Sequence, residues 1–230
     1  MWTLLPVTHC EQETGLSPLA RKTTWSFDVV GPGGRPRSYR VQHERELHLI
    51  VVRDDLSTFS HLHPQRGQNG TWTVQLSLPV AGSYTAFVDV APDDAEAMTL
   101  RFPLTADGEV LEVTAFAPSK IATPDDYRVE LFGDVVAGDS SHVEFRVTQD
   151  GEDVEPQPYL GAAGHLVAIR VGDLDYLHVH PMDASRAGSI PFMMHAPSPG
   201  LYRLFLQFLH GGAVRTADFT IEAVQPSSHH

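Results

Sequence analysis

The chain has a single cysteine, Cys10, in 230 residues. It can close no internal disulfide and build no thiolate-rich metal site. It has no stretch approaching the roughly 18–20 apolar residues of a membrane-spanning helix, so no membrane insertion is expected. Positive charge is scarce: 16 Lys and Arg stand against 29 Asp and Glu, a net charge of −13 with His neutral. A field of that sign disfavours nucleic acid and anionic membrane surfaces and draws cations, so no nucleic-acid partner is expected. The start, MWTLLPVTHCEQ, lacks a basic segment and its apolar run is too short for an export signal. Read literally, it belongs to a cytoplasmic chain.

What the sequence has is enough apolar material for a core, 42% hydrophobic residues, and a surplus of histidine, 13 in all. Two of those, His229-His230, follow a Pro-Ser-Ser tail and read as a tag remnant or frayed end. The others organise a repeat. Residues 47–64 read LHLIVVRDDLSTFSHLHP and residues 164–181 read GHLVAIRVGDLDYLHVHP. At one fixed offset His48 matches His165, Leu49 matches Leu166 and Arg53 matches Arg170. His61, His63 and Pro64 likewise match His178, His180 and Pro181. Recurrence of all three histidines by chance is of order one in several thousand per register, so the chain is a duplication. With one residue inserted, Gly82-Ser83-Tyr84 matches Gly200-Leu201-Tyr202 and Phe87 matches Phe205; Phe102 then matches Phe219.

Short runs rich in Val, Ile, Thr, Phe and Tyr alternate with Gly, Pro, Asp and Ser, the pattern of strands and turns. Strands are expected at 24–30, 38–43, 47–53, 58–63, 71–78, 82–90 and 98–104. The second copy offers 127–132, 142–148, 165–171, 175–180, 189–195, 200–209 and 214–223. At most one helical turn is expected, near 93–98. Seven short strands in about 100 residues is the arithmetic of a sandwich. The fold class is therefore all-β: a tandem of two immunoglobulin-like or cupredoxin-like β-sandwich modules related by an internal repeat. The expected division is an N-terminal extension over 1–20, modules over 21–117 and 118–224, and a disordered tail over 225–230. The joint falls in the proline-bearing segment 117–126.

The repeated block is a hairpin. With Gly172-Asp173 as a two-residue turn, 171 pairs with 174, and His165 therefore with His180. The same register in the first copy pairs His48 with His63. Side chains alternate along a strand, and opposed residues share a face, so His48, His61 and His63 converge, as do His165, His178 and His180. Opposed Cβ atoms about 4.5–5.5 Å apart suit three nitrogens meeting one ion at about 2.0–2.1 Å. The competing reading makes these histidines core residues bonded to backbone carbonyls, since the same face carries Ile50, Val52 and Phe59, and Val167, Ile169 and Tyr176. Arg53 and Arg170 fall on the opposite face, Arg170 across the turn from Asp175. His43 and His142 read as surface-strand residues, and the acidic run 93–96 as a solvated loop.

Imidazole suits Zn, Cu, Ni and Fe, and no cysteine lies near enough for a blue-copper site. Met182 and the pair Met193-Met194 put thioether close by, which tilts the expectation to copper, with zinc the alternative; core filling is the plainer role for those methionines. A cupin would place a Glu after the His-x-His pair, where Arg66-Gly67 and Asp183-Ala184 stand. No phosphate loop or nucleophile elbow appears.

The text YLGAAGHLVAIRVGDLDYLHVHP with PGLYRLFLQFLHGGAVRTADFTIE, and its counterpart ELHLIVVRDDLSTFSHLHP, resembles a group of bacterial, largely actinobacterial, proteins. They are known as hypothetical, secreted or heavy-metal-binding domain proteins. The resemblance covers roughly residues 24–223. It implies a duplicated sandwich and extracytoplasmic metal handling. The expected function is non-enzymatic: metal sequestration or delivery through a three-histidine site in each module, with a metal-transfer protein as partner. The alternatives are an enzyme of hydrolase or oxygenase type on the same three-histidine centre, and an interaction module with structural histidines.

Overall fold

The structure is a computed structural model describing residues 1–7, 22–36, 38–111, 113, 116–177, 179–182 and 188–226. Among these residues there is no helix. The chain divides into two compact units, Met1–Val113 and Thr114–His230. The division falls a few residues before the expected joint between 117 and 118.

Unit one carries β1 (Thr3–Pro6), β2 (Thr23–Val30), β3 (Leu47–Arg53), β4 (Phe59–Leu62), β5 (Gln65–Arg66), β6 (Trp72–Leu76), β7 (Gly82–Val90) and β8 (Met98–Ala106). They form two four-stranded sheets, β1-β2-β6-β5 and β4-β3-β7-β8. One core lies between them. Trp25, Phe27, Val29 and Trp72 enter it from the first sheet, and Leu47, Leu49, Val51, Tyr84, Ala86 and Val88 from the second.

Unit two carries β9 (Ile121–Ala122), β10 (Tyr127–Phe132), β11 (Val135–Val136), β12 (Ser140–Gln149), β13 (Glu152–Asp153), β14 (His165–Arg170), β15 (Tyr176–Leu177), β16 (His180–Pro181), β17 (Ser189–His195), β18 (Gly200–His210) and β19 (Ala213–Val224). Its sheets run β16-β17-β12-β10-β9, with β13 on β12, and β11-β19-β18-β14-β15. With β9, β11 and β13 set aside, this is the strand order of unit one. The tandem of β-sandwiches read from the sequence is the fold.

Details repeat as well. The Tyr84 hydroxyl donates to the Val80 carbonyl at 2.6 Å, and the Tyr202 hydroxyl donates to Ser198 at 2.7 Å. Each ties the start of its strand to the preceding turn, as a tyrosine corner does. Arg53 donates to the Ala81 carbonyl and Arg170 to that of Pro199, both 3.0–3.1 Å. Each guanidinium also grips its own hairpin loop, Arg53 through Asp55 and Arg170 through Asp173. The ion pair of Arg170 is thus with Asp173; with Asp175 it shares only backbone pairing, Arg170 N–H to the Asp175 carbonyl at 2.9 Å.

Several expectations are corrected. The N-terminal extension holds β1, which pairs Thr3 with Val30 and Leu4 with Val29, and Leu4 reaches the core. The segment 117–126 holds β9, paired to β10. Residues 38–43 form no strand; they make isolated bridges, Tyr39 to Pro92 and Gln42 to Arg45. The strand expected at 58–63 is β4, with a further short strand, β5, just beyond it, and the strand expected at 175–180 breaks into β15 and β16. β4 and β15 pair in one sheet, while β5 and β16 pair in the other. Pro64 sits at this crossing, and Pro181 lies in the edge strand β16, places where a missing N–H is tolerated. Residues 93–96 lie at the surface, as expected of a solvated loop, except Ala95, which is half-buried. Cys10 and the pair at 229–230 lie outside the described residues.

Candidate metal centre

The hairpin of β3 and β4 pairs Leu49 with Leu62, Ile50 with His61 and Val52 with Phe59. Continued by one step, that register sets His48 opposite His63, as read from the sequence. In unit two Ala168 pairs with Leu177 and Ile169 with Tyr176, the same register, but the pairing ends there and His180 joins Met193 in the other sheet. The turn itself differs. Arg170 N–H bonds the Asp175 carbonyl, so the loop is four residues, 171–174, with positive φ at Gly172 (102°) and Leu174 (57°). Unit one likewise loops over 54–57, with Leu56 at φ 60°. Replacing a two-residue turn by a four-residue loop removes one residue from each strand, so the register survives.

The face of the histidines is settled by β3. Leu47, Leu49 and Val51 enter the sandwich core, and Leu62 packs against it. His48, His61 and His63 alternate with these and stand on the other face of the sheet. His165 is placed the same way, between the core residue Leu166 and Gly164. His48, His61, His63 and His165 therefore face away from the core between the sheets, while His48 and His165 are buried and each bonds a backbone carbonyl, as the competing reading has it.

In unit one the three side chains meet. Their ligand nitrogens all lie within 4.8 Å of one another, with His48 buried and His61 and His63 half-buried. His48 Nδ1 is 3.0 Å from His61 Nε2. The ring centroids of His61 and His63 are 4.7 Å apart, and those of His48 and His63 5.1 Å. A tetrahedral ion about 2.0–2.1 Å from each nitrogen would hold the nitrogens about 3.3 Å apart, near the 3.0 Å of the His48–His61 pair and inside the 4.8 Å that bounds the set. Three neutral imidazoles converging in this way offer three ligands and leave a fourth position open.

Orientation comes from the backbone. His48 Nε2 lies 2.9 Å from the Gln42 carbonyl oxygen, which can only accept, so Nε2 carries the proton and Nδ1 presents its lone pair to the cluster. His165 Nε2 makes the equivalent bond to the Tyr159 carbonyl at 2.9 Å. Both carbonyls belong to the first residue of a tight turn. One turn has His43 and Glu44 at φ 46° and 62°, and the other Leu160 and Gly161 at 51° and 79°. A ligating histidine whose second nitrogen is held by a carbonyl is the usual outer-shell arrangement of protein metal sites. In unit two His178 lies outside the described residues, and His180 is placed by its backbone alone, paired with Met193. Of the second triad, His165 is the member whose side chain is described.

Asp89 was not found from the sequence. It is the β7 partner of His48, buried at 8% exposure, and on the same sheet face. Burial lifts its carboxyl from 3.8 to about 6, while His43 and the Thr99 hydroxyl pull the other way. The available signal was one carboxylate inside the apolar run 86–91, AFVDVA. His43 sits in the turn rather than on a surface strand, its ring edge toward His48 at 6.0 Å. His142 is exposed on β12, as expected. Met194 is fully buried in the core of unit two, and Met182 is exposed. His210 Nδ1 is 2.8 Å from the Tyr127 hydroxyl.

One family model, described as a domain of unknown function (DUF8832), matches residues 12–108 and again residues 122–225. No curated protein matches the chain. Among solved structures the chain is similar to invasin, a bacterial integrin-binding protein, at 13% identity over 98% of this chain and 40% of that one, with a TM-score of 0.30. It is similar to domains 5–6 of the S-layer protein SbsC at 13% identity over 98% of this chain and 100% of that one, TM-score 0.30. It is also similar to titin domains I67–I69 at 11% identity, over 97% of this chain and 66% of that one, TM-score 0.24. The chain spans less than half the length of invasin.

Proposed function

We propose, for a chain that belongs to the DUF8832 family and carries that domain twice, that each module holds one metal ion in a three-histidine site. The observation that carries this reading is the convergence of His48, His61 and His63, with the Nε2–H of His48 given to a backbone carbonyl. The recurrence of that bond at His165 extends the reading to the second module, with His178 and His180 as the other ligands.

Copper is the ion that suits the set best, and zinc the next. Neutral imidazoles without a thiolate bind either, and Met193, the strand partner of His180, puts a soft thioether beside the second site. The role is sequestration or delivery. The fourth position of each site stays open, so a metal-transfer protein can take the ion by exchanging ligands one at a time. The acidic surface, net charge −13, raises the local concentration of cations around the chain.

Elemental analysis of protein purified without an affinity resin tests this. Up to two equivalents of copper or zinc per chain are expected, falling to none in a His61→Ala/His178→Ala double variant. Protein that takes up neither of these, nor nickel or iron, after incubation and gel filtration would overturn the reading.

A further inference from the structure

The two modules superpose in topology and in the bond that orients the first histidine, yet they differ at two positions beside it. Across the β3–β7 ladder from His48 stands Asp89; across the β14–β18 ladder from His165 stands Gln207. In the turn that supplies the orienting carbonyl, His43 follows Gln42, whereas Leu160 follows Tyr159. Module one is therefore ionisable at both places where module two is neutral. Asp89 and Gln207 are equally buried, each 8% exposed, so the difference lies in charge and not in solvation. Gln207 turns its amide to the Thr216 hydroxyl at 3.2 Å.

A buried carboxylate acts on a nearby cation through low dielectric, where its field is little screened. Asp89 is not among the groups that converge as ligands. It stands one strand away from His48, so it acts as a positioning charge and leaves coordination to the imidazoles. We propose that Asp89 is the counter-charge of the module-one histidine site and makes that module the one that selects a divalent cation. Module two, with Gln207 in its place, lacks that bias. This inference rests on the metal-site reading above.

The charge of the ion gives a test independent of the dielectric. A fixed negative charge attracts a divalent ion with twice the energy of a monovalent one at the same point, whatever the screening. Removing it must therefore change the logarithm of affinity twice as much for Zn(II) as for Ag(I). The experiment uses the full chain with His178→Ala, so that module one is read alone, with and without Asp89→Asn, at pH 7.5. Zn(II) and Ag(I) affinities are measured by competition with a chelating dye, and a melting curve checks that each variant folds. Tenfold or greater loss for Zn(II), with about the square root of that factor for Ag(I), is the expected result. A companion protein carrying His61→Ala reads module two alone, and adding Gln207→Asp there should raise its Zn(II) affinity by a comparable factor. Zn(II) binding that is unchanged by Asp89→Asn, or equal losses for both ions, overturns this inference and leaves the metal reading standing. Absence of binding of either ion with Asp89 intact overturns both.

Discussion

His48 Nδ1 and His61 Nε2 lie 3.0 Å apart, within hydrogen-bonding distance. With the proton of His48 on Nε2, its Nδ1 is an acceptor, and His61 must donate from Nε2 to make that bond. An ion entering between the two needs both lone pairs. It must therefore displace the shared hydrogen, and His61, to stay a neutral imidazole, must carry its proton on Nδ1 instead. Metal binding competes with the hydrogen bond at this pair and is coupled to the tautomer of His61.

The first prediction follows from that competition. An ion that binds the folded state alone stabilises it by about 2.7 kcal/mol at a hundredfold excess over Kd. Protons compete for imidazole near pH ~6.5, so the gain is present at pH 7.5 and lost toward pH 5. Thermal scans with and without Cu(II) or Zn(II), at both pH values, should show a metal-dependent rise in Tm for the wild type at the higher pH and little for His61→Ala/His178→Ala. An equal rise in both proteins would place the ion elsewhere.

The second concerns Asp89 in the metal-free protein. Its carboxyl is raised by burial from 3.8 to about 6. Between those values the folded chain holds a proton that the unfolded chain has lost. Stability from this group is therefore highest below the unfolded value and falls as pH rises through about 6, by on the order of 2–3 kcal/mol. Asp89→Asn keeps the shape and removes the cost. The variant should exceed wild type in urea melts at pH 7 and match it near pH 4. A variant less stable than wild type at pH 7 would contradict this sign.

The third separates two equivalent glycines. Gly82 and Gly200 have φ of 137° and 136°, a region nearly closed to other residues, so Ala at either should cost roughly 1–3 kcal/mol. Their surroundings differ. A Cβ on Gly82 would meet Arg53 Nε at 2.8 Å, whereas on Gly200 it would lie 3.5 Å from Arg170 Nε. The Arg53 side chain is buried and bonded to the Ala81 and Leu111 carbonyls, while that of Arg170 is 30% exposed and can give way. Gly82→Ala should be the more destabilising of the two by chemical denaturation; the reverse order would mean that Arg53 moves aside freely.

What the sequence by itself determined is what depends on short separations along the chain. The duplicated block showed the hairpin; the two-residue period of a strand put His61 and His63 on one face, and a loop of two or of four residues alike sets His48 beside them. For that reason the register held even though a two-residue turn became a four-residue loop. The repeat likewise carried the tandem of sandwiches and the equivalence of His48 with His165. Tertiary structure decided what lies between distant segments. Every residue of β3 is buried, so the apolar pattern of LHLIVVR could not say which face met the core. That was settled by the packing of Leu47, Leu49 and Val51 against strands of the other sheet. Asp89 reaches His48 across a ladder of 41 residues' separation, and no local period connects them. The carbonyls of Gln42 and Tyr159 carry no side-chain signature at all, because a backbone oxygen becomes a partner only when a turn aims it. Local alternation chose the histidines, and long-range pairing supplied the groups that orient and charge them.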